Sequence, residues 1–136
     1  MSLRHKSREF ALQMLFQWEM SPQEPARLEE KFWRSARAAE STRVFANQLF
    51  EGAAAEASAL DALISKHAEN WRLERIAAID KAILRLAVHE LRNGQTPPKV
   101  VLDEAIELAK TFSSEDAASF INGVLDSIRK SLQRLC

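Results

Sequence analysis

Proton transfer and metal chemistry draw heavily on histidine, and this chain of 136 residues has three: His5, His67 and His89. They are too far apart in sequence to form a local ligand pair. His89 and Glu90 begin like a zinc-binding helix, but the second histidine of that pattern falls on Asn93. No phosphate-cradling P-loop, dinucleotide fingerprint or nucleophile elbow occurs. Carboxylates are plentiful, yet an acid/base pair needs a pocket that displaces their pKa values, and sequence shows none. The single cysteine, Cys136, is the last residue and cannot form an intrachain disulfide, which fits a reducing cytosol. The expectation is a non-enzyme with no catalytic residue, cofactor or metal.

Residues suited to binding are easier to find. Arg4, His5, Lys6 and Arg8 form an acid-free basic tip. Such a tip either solubilises a terminus or contacts a polyanion. The following segment has two apolar stripes at helical spacing. Phe10, Ala11, Met14, Leu15 and Trp18 form one, and Leu12, Phe16 and Met20 form a second on nearly the opposite side. A helix packed on two faces explains both. Alternatively, Phe16 belongs to a surface for a partner helix or unstacked bases. Asp80 interrupts a stripe running from Leu73 to Leu91, where a carboxylate needs a fixed partner or an open edge. Phe120 flanks the last core stripe on the side of Asp116 and Gly123. Gly123, which weakens a helix, is expected to permit close helix–helix approach or to open the backbone to a ligand.

These residues need helices to position them. Alanine and leucine dominate, tyrosine is absent, and only three glycines and four prolines punctuate the chain. Breaks at Pro22/Pro25, Asn93-Gly94 and Pro97-Pro98 frame six helices. They span about 3–20, 26–39, from a Ser41 or Thr42 cap to about 66–68, from an Asn70 cap at about 71 or 72 to 91, 99–111, and from Ser113 or Ser114 to about 135. No alternating strand pattern competes, so the fold class is an all-α helical bundle in one domain, residues 1–136. Apolar content of 46% and zero net charge exclude a disordered chain and a generally basic nucleic-acid binder. No apolar run is long enough to span a membrane, and the N-terminus does not read as a signal peptide.

Longer motifs carry a resemblance. NWRLERIAAIDKAILRLAVHEL, PPKVVLDEAIELAKTF and SSEDAASFINGVLD occur in order after Asn70, and RHKSREFALQMLFQWEM opens the chain. Together they resemble the bacterial transcription antitermination factor NusB family. The resemblance implies six to seven helices in two packed subdomains, about 1–68 and 69–136. It implies a cytoplasmic, non-catalytic protein that binds single-stranded boxA RNA of ribosomal-RNA transcripts with the small-subunit ribosomal protein NusE. Through other Nus factors it would act on RNA polymerase, so that terminators are passed. The family's RNA-binding positions fall on Arg4, His5, Lys6, Arg8, Phe16, Asp116 and Phe120, and a partner-protein position falls on Asp80. His5 and Ser7 thin a basic run that is often denser in the family, which implies weaker RNA binding alone and reliance on the ribosomal partner. An adaptor without its own RNA affinity and a self-associating homodimer are alternatives. A third is a module like that fused to ribosomal-RNA cytosine methyltransferases, although no α/β cofactor domain is present.

Overall fold

The computed structural model describes residues 3–68 and 73–134. Seven α-helices occur among them: α1 (Leu3–Met20), α2 (Pro25–Ser35), α3 (Glu40–Ala55), α4 (Ala57–His67), α5 (Ala78–Asn93), α6 (Pro98–Phe112) and α7 (Glu115–Arg134). A short 3-10 turn, Leu73–Arg75, precedes α5.

Helix α5 is the axis of the bundle. Every residue from Ala82 to Val88 is buried, and α1, α3, α4, α6 and α7 all pack against it. Helices α1, α2 and α3 pack among themselves, as do α6 and α7, and one continuous apolar core runs through both groups. Leu12, Leu15, Phe50, Ile83, Leu84 and Ile121 lie in it with almost no solvent contact. Phe10, Phe32 and Trp33 close the α1–α2 end edge-to-face, with ring centroids 4.9 to 6.0 Å apart. That geometry suits the ring quadrupoles.

Two buried guanidinium groups fix the register. Arg8 of α1 donates to both carboxylate oxygens of Glu90 on α5, at 2.7 and 2.8 Å, and reaches Glu104 of α6 at 3.3 Å. Arg85 of α5 grips Asp61 of α4 with two 2.8 Å bonds and Glu19 of α1 with a third. Lys81 adds a 2.6 Å bond to Glu19. The start of α1 therefore meets the end of α5 and the reverse, so the two helices run antiparallel.

Several sequence expectations change here. The second helix stops at Ser35 rather than about 39, because Ala36 turns to an extended conformation. The third expected helix is two. At Glu56 the backbone leaves helical geometry (φ −101°, ψ 10°), so that α3 packs on α1 and α5 while α4 turns onto α5 and α7. One straight helix could not serve both groups. Neither Ser41 nor Thr42 caps α3. Ala39 occupies the cap position, and the buried Thr42 offers its carbonyl to Ser7 Oγ at 3.0 Å. The Asn70 cap and Trp71 lie outside the described residues. Helix α5 itself begins at Ala78, which moves Asp80 from mid-helix to the first turn. There a carboxylate is favoured by the helix dipole. Gly94 ends α5 with φ 75°, as its position implies. Ser114 caps α7 by accepting the Ala117 N–H at 3.0 Å.

The glycine needed for close packing is Gly52, not Gly123. A Cβ at Gly52 would lie 2.4 Å from the His89 ring, whereas one at Gly123 meets nothing within 4 Å. His89 is held in turn by Glu56 at 2.8 Å.

One buried carboxyl works against the others. Glu29 of α2 is 9% exposed, and its Oε2 has no hydrogen-bond partner. Burial, then the hydrogen bond and charge of Glu51, push its pKa up to about 8. The folded protein holds this proton more tightly than the unfolded chain. The resulting stability is present below about pH 4.5 and is lost as pH rises toward 8. Glu29→Gln is expected to flatten that part of the melting-temperature profile. It should exceed the parent protein above pH 8 and converge with it near pH 4.5, and parallel profiles would refute the assignment.

Candidate nucleic-acid interface

The basic tip is sorted by helical periodicity. Arg4 and Lys6 are exposed on the first two turns of α1, His5 is half-buried, and Arg8 is 3% exposed. Ser7, bonded to Thr42, fastens this turn to α3.

Each of the four has a different electrostatic setting. Arg4 stacks its guanidinium carbon 3.7 Å above the Phe45 ring of α3. Lys6 approaches Glu9 at 3.3 Å and lies 5.5 Å from the Phe10 ring, while its side chain remains 57% exposed. The His5 ring stands between two carboxylates, Glu104 at 2.5 Å and Glu9 at 3.4 Å. Arg8 is enclosed by Glu90 and Glu104. Burial lowers its pKa, but the hydrogen bond and charge of Glu90, with the charge of Glu104, outweigh that and raise it. A phosphate oxygen could reach Arg8 only by displacing those carboxylates. Arg8 thus occupies an internal position between α1, α5 and α6, unlike the exposed position expected of a residue facing RNA.

Two grooves flank the Arg4–Phe45 stack. One, of 440 Å³, is lined by Arg4, Ser41, Thr42, Val44, Phe45 and Gln48. The other, of 310 Å³, includes Gln95, Thr96, Val100 and Glu104. Beyond the tip a third groove, between α1 and α6, is acidic, with Glu9, Asp103, Glu104 and Glu107 around His5. The cationic surface is therefore narrow and bounded on one side by carboxylates.

The remaining candidates lie elsewhere. Phe16 is half-buried in the last two turns of α1. Asp80 is half-buried near that same end, because Lys81 next to it bonds Glu19. The Asp80 Oδ1 atom is buried without a hydrogen-bond partner among the described residues. Asp116 is exposed in the first turn of α7, and Phe120, one turn later, rests partly buried against the core. The structure thus brings together the four residues of the tip, and separately Asp116 with Phe120. Phe16 and Asp80 lie toward the far end of the α1–α5 pair. Phe45 was missed by sequence reasoning, since a half-buried aromatic three residues past a buried threonine has no signature. Glu90 and Glu104 were missed because their role depends on Arg8 pointing inward.

Among the described residues, no three His, Cys, Asp or Glu side chains gather as a metal would need. Also among them, no helix is long and apolar enough to cross a membrane.

Comparison with known proteins gives consistent matches over nearly the whole length. The model of the NusB family matches residues 5–130. A transcription antitermination protein NusB from Koribacter versatilis is 47% identical over 131 residues, covering 95% of this chain and 90% of that one. The corresponding protein of Sorangium cellulosum is 43% identical over 136 residues, covering 99% and 97%. A solved structure of antitermination factors NusB and NusE in complex with double-stranded RNA superposes with a TM-score of 0.87 at 26% identity, covering 96% of this chain and 98% of that one. A seven-helix fold built around α5 and a family match spanning residues 5–130 lead to one assignment: this chain belongs to the NusB family of transcription antitermination proteins.

Proposed function

We propose that this protein is a non-catalytic, cytoplasmic antitermination factor that binds boxA-type single-stranded RNA of ribosomal-RNA transcripts jointly with NusE. The observation that carries the reading is the pair of exposed cations, Arg4 and Lys6, on the first two turns of α1 in a NusB-family fold. A solved complex of NusB and NusE with double-stranded RNA, similar in fold, supports RNA and NusE as the partner classes. Phosphates meet the two cations, which gives affinity that falls with salt. Phe120 and Phe16 offer ring faces for unstacked bases, and Asp116 offers an acceptor at the edge of α7. His5 and Arg8 act indirectly, by anchoring α1 to α5 and α6.

Asp80 is the proposed contact for NusE. Asp80 is half-buried in the first turn of α5, and Met20, at the end of the adjoining α1, is 63% exposed. A docked protein would cover the exposed methionine and meet the accessible part of the Asp80 carboxylate. Other Nus factors and RNA polymerase would then be reached through the complex.

The test is RNA affinity against salt, with and without NusE, using boxA and scrambled RNA. Changing Arg4 and Lys6 together to Ala should reduce the salt slope by about 1.4, at roughly 0.7 per phosphate contact on single strands. Melting should be unaffected. An unchanged slope, or equal affinity of the parent protein for scrambled RNA, refutes the reading.

Arg8→Met should behave in the opposite way. It leaves Glu90 buried without its cation, a loss of about 3–5 kcal/mol of stability by chemical denaturation. Normal stability with lost RNA affinity would instead return Arg8 to the RNA-facing group.

A further inference from the structure

Arg4 is the cation nearest the protein's N-terminus among the described side chains, yet it does not hang free. Its guanidinium carbon sits 3.7 Å over the Phe45 ring, and Arg8 approaches the same ring at 5.9 Å. The turn that carries Arg4 is tied to α3 by the buried Ser7–Thr42 hydrogen bond. Among the described residues Arg4 forms no ion pair, so its charge is held in place without being neutralised. A guanidinium stacked on a ring keeps its N–H donors in the plane and directed outward, the arrangement that suits phosphate.

The grooves on the two sides of this stack differ in charge. On the α6 side, Glu104 lines the wall. On the α3 side, no carboxylate among the described residues lines the 440 Å³ groove. That groove offers the hydroxyl of Ser41 and the amide of Gln48. Its apolar wall is made by Phe45 and by Val44, which is 48% exposed. A cation, an apolar face and an amide within one groove match the three parts of a nucleotide: phosphate, base face and base edge.

We infer that the groove between the start of α1 and the start of α3 is a nucleotide subsite for single-stranded RNA, with Phe45 as the positioning residue that aims Arg4 at the phosphate. The base packs against Val44 and the exposed rim of Phe45, and Gln48 hydrogen-bonds its edge. The inference rests on the RNA-binding reading above, but it assigns residues and a groove that the basic tip alone does not imply. It also gives the strand a direction of travel, onto α3 and away from the acidic groove of α6.

The full chain, titrated with a labelled boxA-type RNA oligonucleotide across a salt series, provides the test. Phe45→Leu should weaken binding about fivefold or more and lower the salt slope by about 0.7, as Arg4→Ala does. Phe45→Trp keeps a ring and should restore both. The double change Arg4→Ala with Phe45→Leu should cost little more than either alone, because the two act as one unit. A merely structural role for Phe45 would shift melting and leave the slope unchanged.

Gln48 is exposed, so its replacement leaves the fold alone even where Phe45→Leu fails to fold. Gln48→Ala should weaken boxA binding about threefold, whereas Gln95→Ala, in the opposite groove, should not. A Phe45→Leu protein with the parental slope, or a larger loss for Gln95→Ala than for Gln48→Ala, overturns the subsite. If the parent protein does not distinguish boxA from scrambled RNA, the RNA-binding reading itself fails, which is a different result.

Discussion

Burying an arginine between helices constrains a bundle more tightly than burying a leucine. An apolar side chain tolerates sliding by a fraction of a turn, whereas a guanidinium taken out of water must keep its carboxylates at hydrogen-bond distance. Arg8 and Arg85 impose this at opposite ends of the α1–α5 pair. Arg8 binds Glu90 and Glu104, and Arg85 binds Asp61 and Glu19. Four helices are thereby held in register through two side chains. The hydrogen bonds of Lys81 and Arg85 hold the Glu19 carboxyl below its usual pKa, against the opposing effect of burial. This end of the network therefore stays ionised at neutral pH.

That constraint decides which part of the basic tip faces solvent. Arg4 and Arg8 are one helical turn apart, so both point toward α3 and both approach Phe45. Arg8 is deep enough to find Glu90, while Arg4, a turn nearer the end, emerges at the rim. Lys6 lies on another side of the helix and remains exposed. A cluster that appears uniform as sequence becomes one structural cation, one stacked cation and one solvated cation. His5, between Glu9 and Glu104, closes the side toward α6.

Helix content, most helix boundaries and the Gly94 stop were legible because they depend on local propensity and caps. The break at Glu56 was not, since no glycine or proline marks it. It arises from the need to cover α5 and α7 with what would otherwise be one helix. The place of Asp80 was misread for a related reason: the stripe from Leu73 onward is apolar at helical spacing, but part of it forms a 3-10 turn before α5 begins. The relative importance of the glycines was also reversed. Gly52 lies in a run of small residues and attracts no notice, yet it is the one pressed against His89. At the basic tip, residue types show a cluster of cations, but only three-dimensional contacts separate Arg8 from Arg4 and join Arg4 to Phe45.

Zero net charge takes on a different meaning in this geometry. The carboxylates of α6 are not spread evenly against the cations. Asp103, Glu104 and Glu107 line one groove beside the tip, while among the described residues the groove on the α3 side has no carboxylate. A polyanion approaching the tip meets repulsion on one flank and a neutral, partly apolar surface on the other. Such a field guides a strand by exclusion as much as by attraction, without the long-range pull of a basic surface. The two exposed cations of the tip supply little electrostatic affinity by themselves.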